Sequence, residues 1–317
     1  MVIHGRQETS PTYIARVIMN QPLPDQVNKI KVEDGYEVWS RSIGGGSPSE
    51  RTPLLLIHGG PGVPHQYLQN LAALASPTQR VIFYDQLGCG FSDKPDEPER
   101  WHISRFVREI DLVRDALGLD HVVLLGQSWG GMLSIEYALQ EPAGLKAIIL
   151  SNTTPSARLL AEASSALLQA LPASTLETIA KHEAAGTTNQ PEYLQAMGQF
   201  YGRHVVRLHP MPDFVQYSFD HMGQAYGVMW GPNEFTLTGN LQTWDRRNDL
   251  HRIHCPVLLI CGEHDECTPA IHRLMHEHIP HASLHVLKGC SHLSHVEQPE
   301  LYMQHVRDFL DQLSDNP

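Results

Sequence analysis

Residues 122–131 read Val122-Val123-Leu124-Leu125-Gly126-Gln127-Ser128-Trp129-Gly130-Gly131. Four aliphatic residues in a row suit a strand buried on both faces. A serine flanked by glycines two positions before and two after comes next, and a helical pattern begins near Met132. This is G-x-S-x-G in the context it needs, a strand, a tight turn and a helix. The glycines let strand and helix approach closely, and the turn lifts the serine hydroxyl out of the sheet at the positive end of the helix. An incidental serine in a Gly-rich turn would give the same five residues, so the surrounding chain has to decide.

On either side the chain alternates short apolar runs with helical stretches. Runs at 54–57, 81–84, 122–125, 147–150, 257–260 and 284–287 read as strands, and several are apolar throughout. The pattern predicts helices over 103–117, 132–140 and 299–313. Strand and helix alternating at this spacing imply a doubly wound, mostly parallel sheet with helices on both faces. Residues 29–43 are expected to add an antiparallel opening hairpin, and Gly44-Gly45-Gly46-Ser47-Pro48 a turn or loop. The rhythm breaks over 155–245, where helical patterns at 157–171, 174–185 and 191–208 occur without a strand. A helical cap over the C-terminal edge of the sheet is expected there, on a core formed by 1–154 and 246–317. No internal repeat is present.

At 317 residues, 41% hydrophobic and 18% charged, the chain can bury a sizeable core. The formal charge of -12 argues against nucleic acid or an anionic membrane as main partner. No run approaches the roughly 18 apolar residues of a membrane span. Residues 1–8 show no apolar stretch after a basic start, so no secretory signal is expected. Five cysteines, Cys89, Cys255, Cys261, Cys267 and Cys290, form no CxxC pair. These features imply a cytoplasmic enzyme with free thiols, a monomer or small homo-oligomer, without cofactor or metal.

A serine nucleophile needs a base, and the base an orienting acid. In the α/β-hydrolase fold the chain order is Ser, Asp or Glu, then His. Asp265 and His292 follow the last two predicted strands, on the same sheet edge as Ser128. With twenty histidines, order and placement select His292; His295 lies too far into the next helix and His264 precedes its carboxylate in the same turn. Oxyanion donors are expected from the amide of Trp129 and from that of Gly60, in the loop His58-Gly59-Gly60-Pro61-Gly62. His58 reads as a structural hydrogen-bonding residue. His272 and His276 stand at i, i+4 spacing, but no third ligand is evident, so they read as a solvated helix face.

Together these segments resemble the proline iminopeptidase family of α/β-hydrolases. The resemblance is carried by residues 58–62, Asp85-Gln86-Leu87-Gly88-Cys89-Gly90, residues 126–131 and Gly262-Glu263-His264-Asp265, and Trp230-Gly231-Pro232-Asn233-Glu234-Phe235 is most similar to the tricorn-interacting aminopeptidase branch. Many family members carry arginine where this chain has Leu87. The branch accepts apolar residues besides proline, so the resemblance implies a wider preference. It also implies that Glu234 and Glu266 bind the substrate's amine. Their chemistry agrees: a partly desolvated ammonium demands a negative partner, and two carboxylates fix its position. Tyr226, Trp230 and Phe235 are expected to wall an apolar side-chain pocket.

The resulting expectation is a serine aminopeptidase acting on short peptides or amino-acid amides with a free amine. An esterase, lactonase or amidase would use the same triad, because the fold does not choose the substrate. A non-catalytic ligand-binding protein is disfavoured by the intact Ser, Asp and His. Dehalogenase or epoxide hydrolase chemistry wants aspartate where Ser128 stands.

Overall fold

The computed structural model describes residues 22–314. The reading of residues 1–8 lies outside them. Eight strands form one sheet: β1 (Asp25–Lys31), β2 (Glu37–Ile43), β3 (Leu54–Ile57), β4 (Val81–Tyr84), β5 (Val122–Gln127), β6 (Leu145–Ser151), β7 (Val257–Gly262) and β8 (Ala282–Leu287). Their order is β1-β2-β4-β3-β5-β6-β7-β8. β1 pairs with β2, and β2 with β4, antiparallel; the other neighbours are parallel. The opening hairpin therefore starts at Asp25, four residues before the expected point. Polar Asp25, Gln26 and Asn28 sit on an exposed edge strand, where no apolar run marks the start.

The helices are α1 (Ile103–Ala116), α2 (Trp129–Ala138), α3 (Ala157–Gln169), α4 (Ala173–Ala185), α5 (Pro191–His204), α6 (Asp213–Asp220), α7 (Ala225–Met229), α8 (Pro269–His278), α9 (Ser294–Glu297) and α10 (Pro299–Ser314), with a 3-10 helix at His65–Leu74. α2 starts directly after Ser128, three residues before the expected Met132, because Gly130 and Gly131 join its first turn.

Alternation along the strands sorts the core into two layers. Leu55, Ile57, Leu124 and Leu259 face α1, α2 and α8, packing on Phe106, Ile110, Leu133 and Met275. Leu54, Leu56, Leu125 and Leu258 face the 3-10 helix and α10, packing on Leu71, Tyr302 and Val306. Each such aliphatic side chain contributes about 1.5–3 kcal/mol on burial. Helices α3 to α7 lie between β6 and β7 in sequence, and Leu168, Ile179, Met197 and Phe200 form a smaller apolar cluster of their own. No helix among the described residues is long and apolar enough to cross a membrane.

Candidate active site

All the loops that meet at the site leave the C-terminal ends of parallel strands. β5 runs into Ser128, whose φ of 57° and ψ of -119° are strained for a residue with a Cβ. Two glycines make this turn possible. A Cβ on Gly126 would lie 2.2 Å from Gly130 O, and one on Gly130 would lie 2.0 Å from Ile57 O. Ser128 thus sits half-buried at the N-terminus of α2.

Asp265 follows β7 and His292 follows β8. His292 Nδ1 donates to Asp265 Oδ1 over 2.8 Å. The same oxygen accepts the Cys267 amide at 2.9 Å, and Oδ2 accepts Asn152 Nδ2 at 2.7 Å. Both Asp265 and His292 are buried. Burial pulls His292 down, but Asp265, Glu266 and Glu234 outweigh it and hold the imidazolium above its ordinary range. Among the described residues no hydrogen bond joins Ser128 Oγ to His292. Free enzymes commonly tighten this contact only when substrate is bound.

Gly60 and Trp129 line the same pocket as Ser128. Among the described residues neither amide is taken by a protein acceptor. Two struts hold this region. The Gly59 amide donates to Tyr67 Oη at 2.6 Å, Tyr67 Oη donates to Gln127 Oε1 at 2.7 Å, and Gln127 Nε2 donates to the His292 carbonyl at 3.2 Å. Gln86 Nε2 donates to the His58 carbonyl at 2.9 Å, while its Oε1 accepts Trp129 Nε1 at 2.9 Å. His58 Nε2 accepts the Gln86 amide, and burial lowers the ring's pKa to about 4, consistent with a neutral structural imidazole.

Glu234 and Glu266 both line the pocket, with Tyr226, Trp230, Met132 and Leu160. Glu234 accepts Tyr201 Oη at 2.6 Å and Tyr226 Oη at 3.3 Å. Glu266 is buried; its Oε1 lies 3.7 Å from His292 Nε2, and its Oε2 has no partner. Burial raises the pKa of this carboxyl. The Trp230 indole donates to the Asn233 carbonyl at 3.0 Å, which fixes its ring on the pocket wall.

Two expectations need correction. Phe235 does not line the pocket; it packs edge-on against Phe200 at 5.7 Å in the cluster of the helical segment. His272 is not on a solvated face. It is fully buried, accepting the Thr153 amide through Nε2 at 3.3 Å, because α8 turns Ile271, His272 and Met275 inward. His276 and His278 are exposed. Cys267 lines the pocket, whereas Cys290 is buried away from it.

Sequence reasoning missed Asn152 and Tyr201. Asn152 directly follows β6, so its place on the sheet's active edge was a usable signal; Tyr201 carried none, since its partner is 33 residues away. Ligand atoms of Asp265, Cys267 and His292 lie within 4.8 Å of one another, as do those of His58, Asp85 and Cys89. In both sets the carboxylate and imidazole atoms are already engaged in hydrogen bonds.

This arrangement of strained serine, buried His–Asp pair and free amides defines a hydrolase, and the chain belongs to the alpha/beta hydrolase fold family, whose model matches residues 52–299. Within that family it groups with the proline iminopeptidases. It is 39% identical over 265 residues to the proline iminopeptidase of Heyndrickxia coagulans, covering 83% of this chain and 91% of the relative. The crystal structure of proline iminopeptidase from Mycobacterium smegmatis superposes with a TM-score of 0.84 at 40% identity, covering 91% of this chain and 99% of that one. The crystal structure of VinJ gives 0.86 at 35% identity over the same shares.

Proposed function

We propose that the protein is a serine aminopeptidase releasing an N-terminal proline or other apolar residue from short peptides or amino-acid amides. Ser128 Oγ attacks the carbonyl of the first residue while His292 Nε2 takes its proton and Asp265 holds the imidazole. The Gly60 and Trp129 amides receive the developing oxyanion. His292 then protonates the leaving amine, and water, activated by the same base, releases the amino acid from the acyl-enzyme. Glu234 and Glu266 hold the substrate ammonium, and Tyr226 and Trp230 wall its side chain.

The observation that carries this reading is the pair of glutamates in one pocket with Ser128 and His292, one of them with a buried, unpartnered oxygen. An uncharged ester gives such an oxygen nothing to pair with, whereas an ammonium does. The relatives named proline iminopeptidase support the same substrate class. Leu160, Phe219, Met222, Trp230 and Glu234, all from 155–245, line the pocket, which supports that segment as a cap. The five free cysteines support a cytoplasmic location.

A panel of aminoacyl arylamides, free and N-acetylated, run beside simple acyl esters tests this. The free prolyl and apolar aminoacyl compounds should be turned over at least about 10-fold better than their acetylated forms, the least expected from losing one charged partner. Equal turnover of both forms would leave an esterase or amidase as the better description.

A further inference from the structure

Glu266 faces two groups at once. Its Oε1 lies 3.7 Å from His292 Nε2, the nitrogen that must be bare to receive the serine proton. Its Oε2 is buried at the pocket without a partner. Glu234 is differently placed, since two tyrosine hydroxyls already engage it. The neighbour of Nε2 in the free protein is therefore the Glu266 carboxyl, whose pKa burial raises and the His292 imidazolium lowers toward the charged form.

The geometry points to a second role for Glu266, as a charge switch on the catalytic base. In the empty site it pairs with the His292 imidazolium and keeps the base protonated. The ammonium of an arriving substrate then replaces the imidazolium as its partner, His292 loses its Nε2 proton to solvent, and the ring becomes able to accept the proton of Ser128. This rests on the aminopeptidase reading and adds that the substrate's own charge arms the base.

The groups around His292 agree. Although burial opposes it, Asp265, Glu266 and Glu234 together favour the imidazolium. Burial pushes His204, His272 and His295 down, so these imidazoles are neutral at neutral pH. Burial likewise keeps the Cys267 thiol and the Tyr201 and Tyr226 hydroxyls protonated. The local excess is thus negative and rests on carboxylates; burial favours a proton on Glu266, the imidazolium opposes it, and a second cation at the carboxyl competes with both. A blocked substrate brings none. It meets a protonated base, and so loses turnover as well as binding.

The test is the pH dependence of two substrates, prolyl p-nitroanilide and an uncharged p-nitrophenyl ester, with the parent protein and Glu266→Gln. kcat/KM for the ester reports the free protein, and kcat for the anilide reports the complex. In the parent, the acid limb of kcat for the anilide should lie below that of kcat/KM for the ester. In Glu266→Gln the ester limb should move down by about 1–3 pH units, the effect of removing one close opposite charge. Ester hydrolysis at pH 7 should then rise roughly 10-fold or more while anilide kcat/KM falls. An ester limb at the same pH in both proteins, or slower ester hydrolysis at pH 7 in the variant, overturns the proposal. If Glu266→Gln does not fold, the parent alone decides, because coincident limbs for anilide kcat and ester kcat/KM also overturn it. A parent that cleaves N-acetylprolyl p-nitroanilide as fast as the free compound overturns the amine reading and this proposal together. Preference for the free amine with coincident limbs overturns only the proposal.

Discussion

Asn152→Ala should be among the most damaging single changes outside the residues that touch substrate. The Asn152 side chain is fully buried and all four of its hydrogen-bonding positions are used. Nδ2 donates to Asp265 Oδ2 at 2.7 Å and to the Ser291 carbonyl at 3.2 Å. Oδ1 accepts Ser151 Oγ at 2.8 Å and Ser294 Oγ at 2.9 Å. The serine hydroxyls can rotate to new acceptors, but the Asp265 and Ser291 oxygens cannot. Two buried acceptors left bare cost about 1–3 kcal/mol each, roughly 2–6 kcal/mol in sum. At about 2 °C per kcal/mol for a chain of this length, the melting temperature should fall by roughly 4–12 °C. Activity should fall too, since Asp265 loses the partner that aims it at His292. Calorimetry and steady-state kinetics on prolyl p-nitroanilide measure both effects. A variant melting within about 1 °C of the parent with unchanged kcat would refute the reasoning, because the four bonds would then carry neither stability nor orientation.

Other changes separate the roles at the site. Ser128→Ala and His292→Ala should each abolish turnover while circular dichroism stays native; acyl-enzyme trapping that persists in the Ser128 variant would end the nucleophile assignment. Asp265→Asn should lose about 10³–10⁴-fold in kcat, the scale set by a misoriented imidazole, and parental kcat would contradict it. Glu234→Gln should lower kcat/KM for free aminoacyl substrates by about 10- to 150-fold, the value of one charged hydrogen bond, with a much smaller effect on an uncharged ester. Equal losses on the two would make Glu234 a shape residue only. Mercurials should inactivate slowly, because burial raises the Cys267 thiol well above its ordinary range. Cys267→Ala should confer resistance and Cys290→Ala should not, which a time course of inactivation decides.

Most of the sheet was legible because parallel strands covered on both faces are apolar throughout, as in Leu54–Ile57 and Val81–Tyr84. The edge strand Asp25–Lys31 was legible only in its second half, since one of its sides meets solvent. α6 and α7 escaped notice because both are short and bury few residues, Val215 and Ser218 in one, Ala225 and Met229 in the other. The loops after β5, β7 and β8 were readable as a site because chain order and strand ends constrain where such residues stand. What holds them was not. Asn152 reaches Asp265 across 113 residues, and Tyr67 reaches Gln127 across 60, contacts made only when the sheet brings separate loops together. His272 shows the converse, for i, i+4 spacing makes it a neighbour of His276 on the helix but does not say how deep each lies, and His272 is buried while His276 is exposed.

The central claim is that Ser128 is the nucleophile of an aminopeptidase, and intact and peptide mass spectrometry after treatment with a fluorophosphonate tests it most directly. One phosphonyl adduct per chain should form, on the peptide carrying Ser128, and prolyl arylamidase activity should fall in proportion to the adduct formed. A free-amine substrate analogue such as prolinol should slow the labelling. An adduct on another residue, or full labelling of Ser128 with the arylamidase activity intact, would contradict the account.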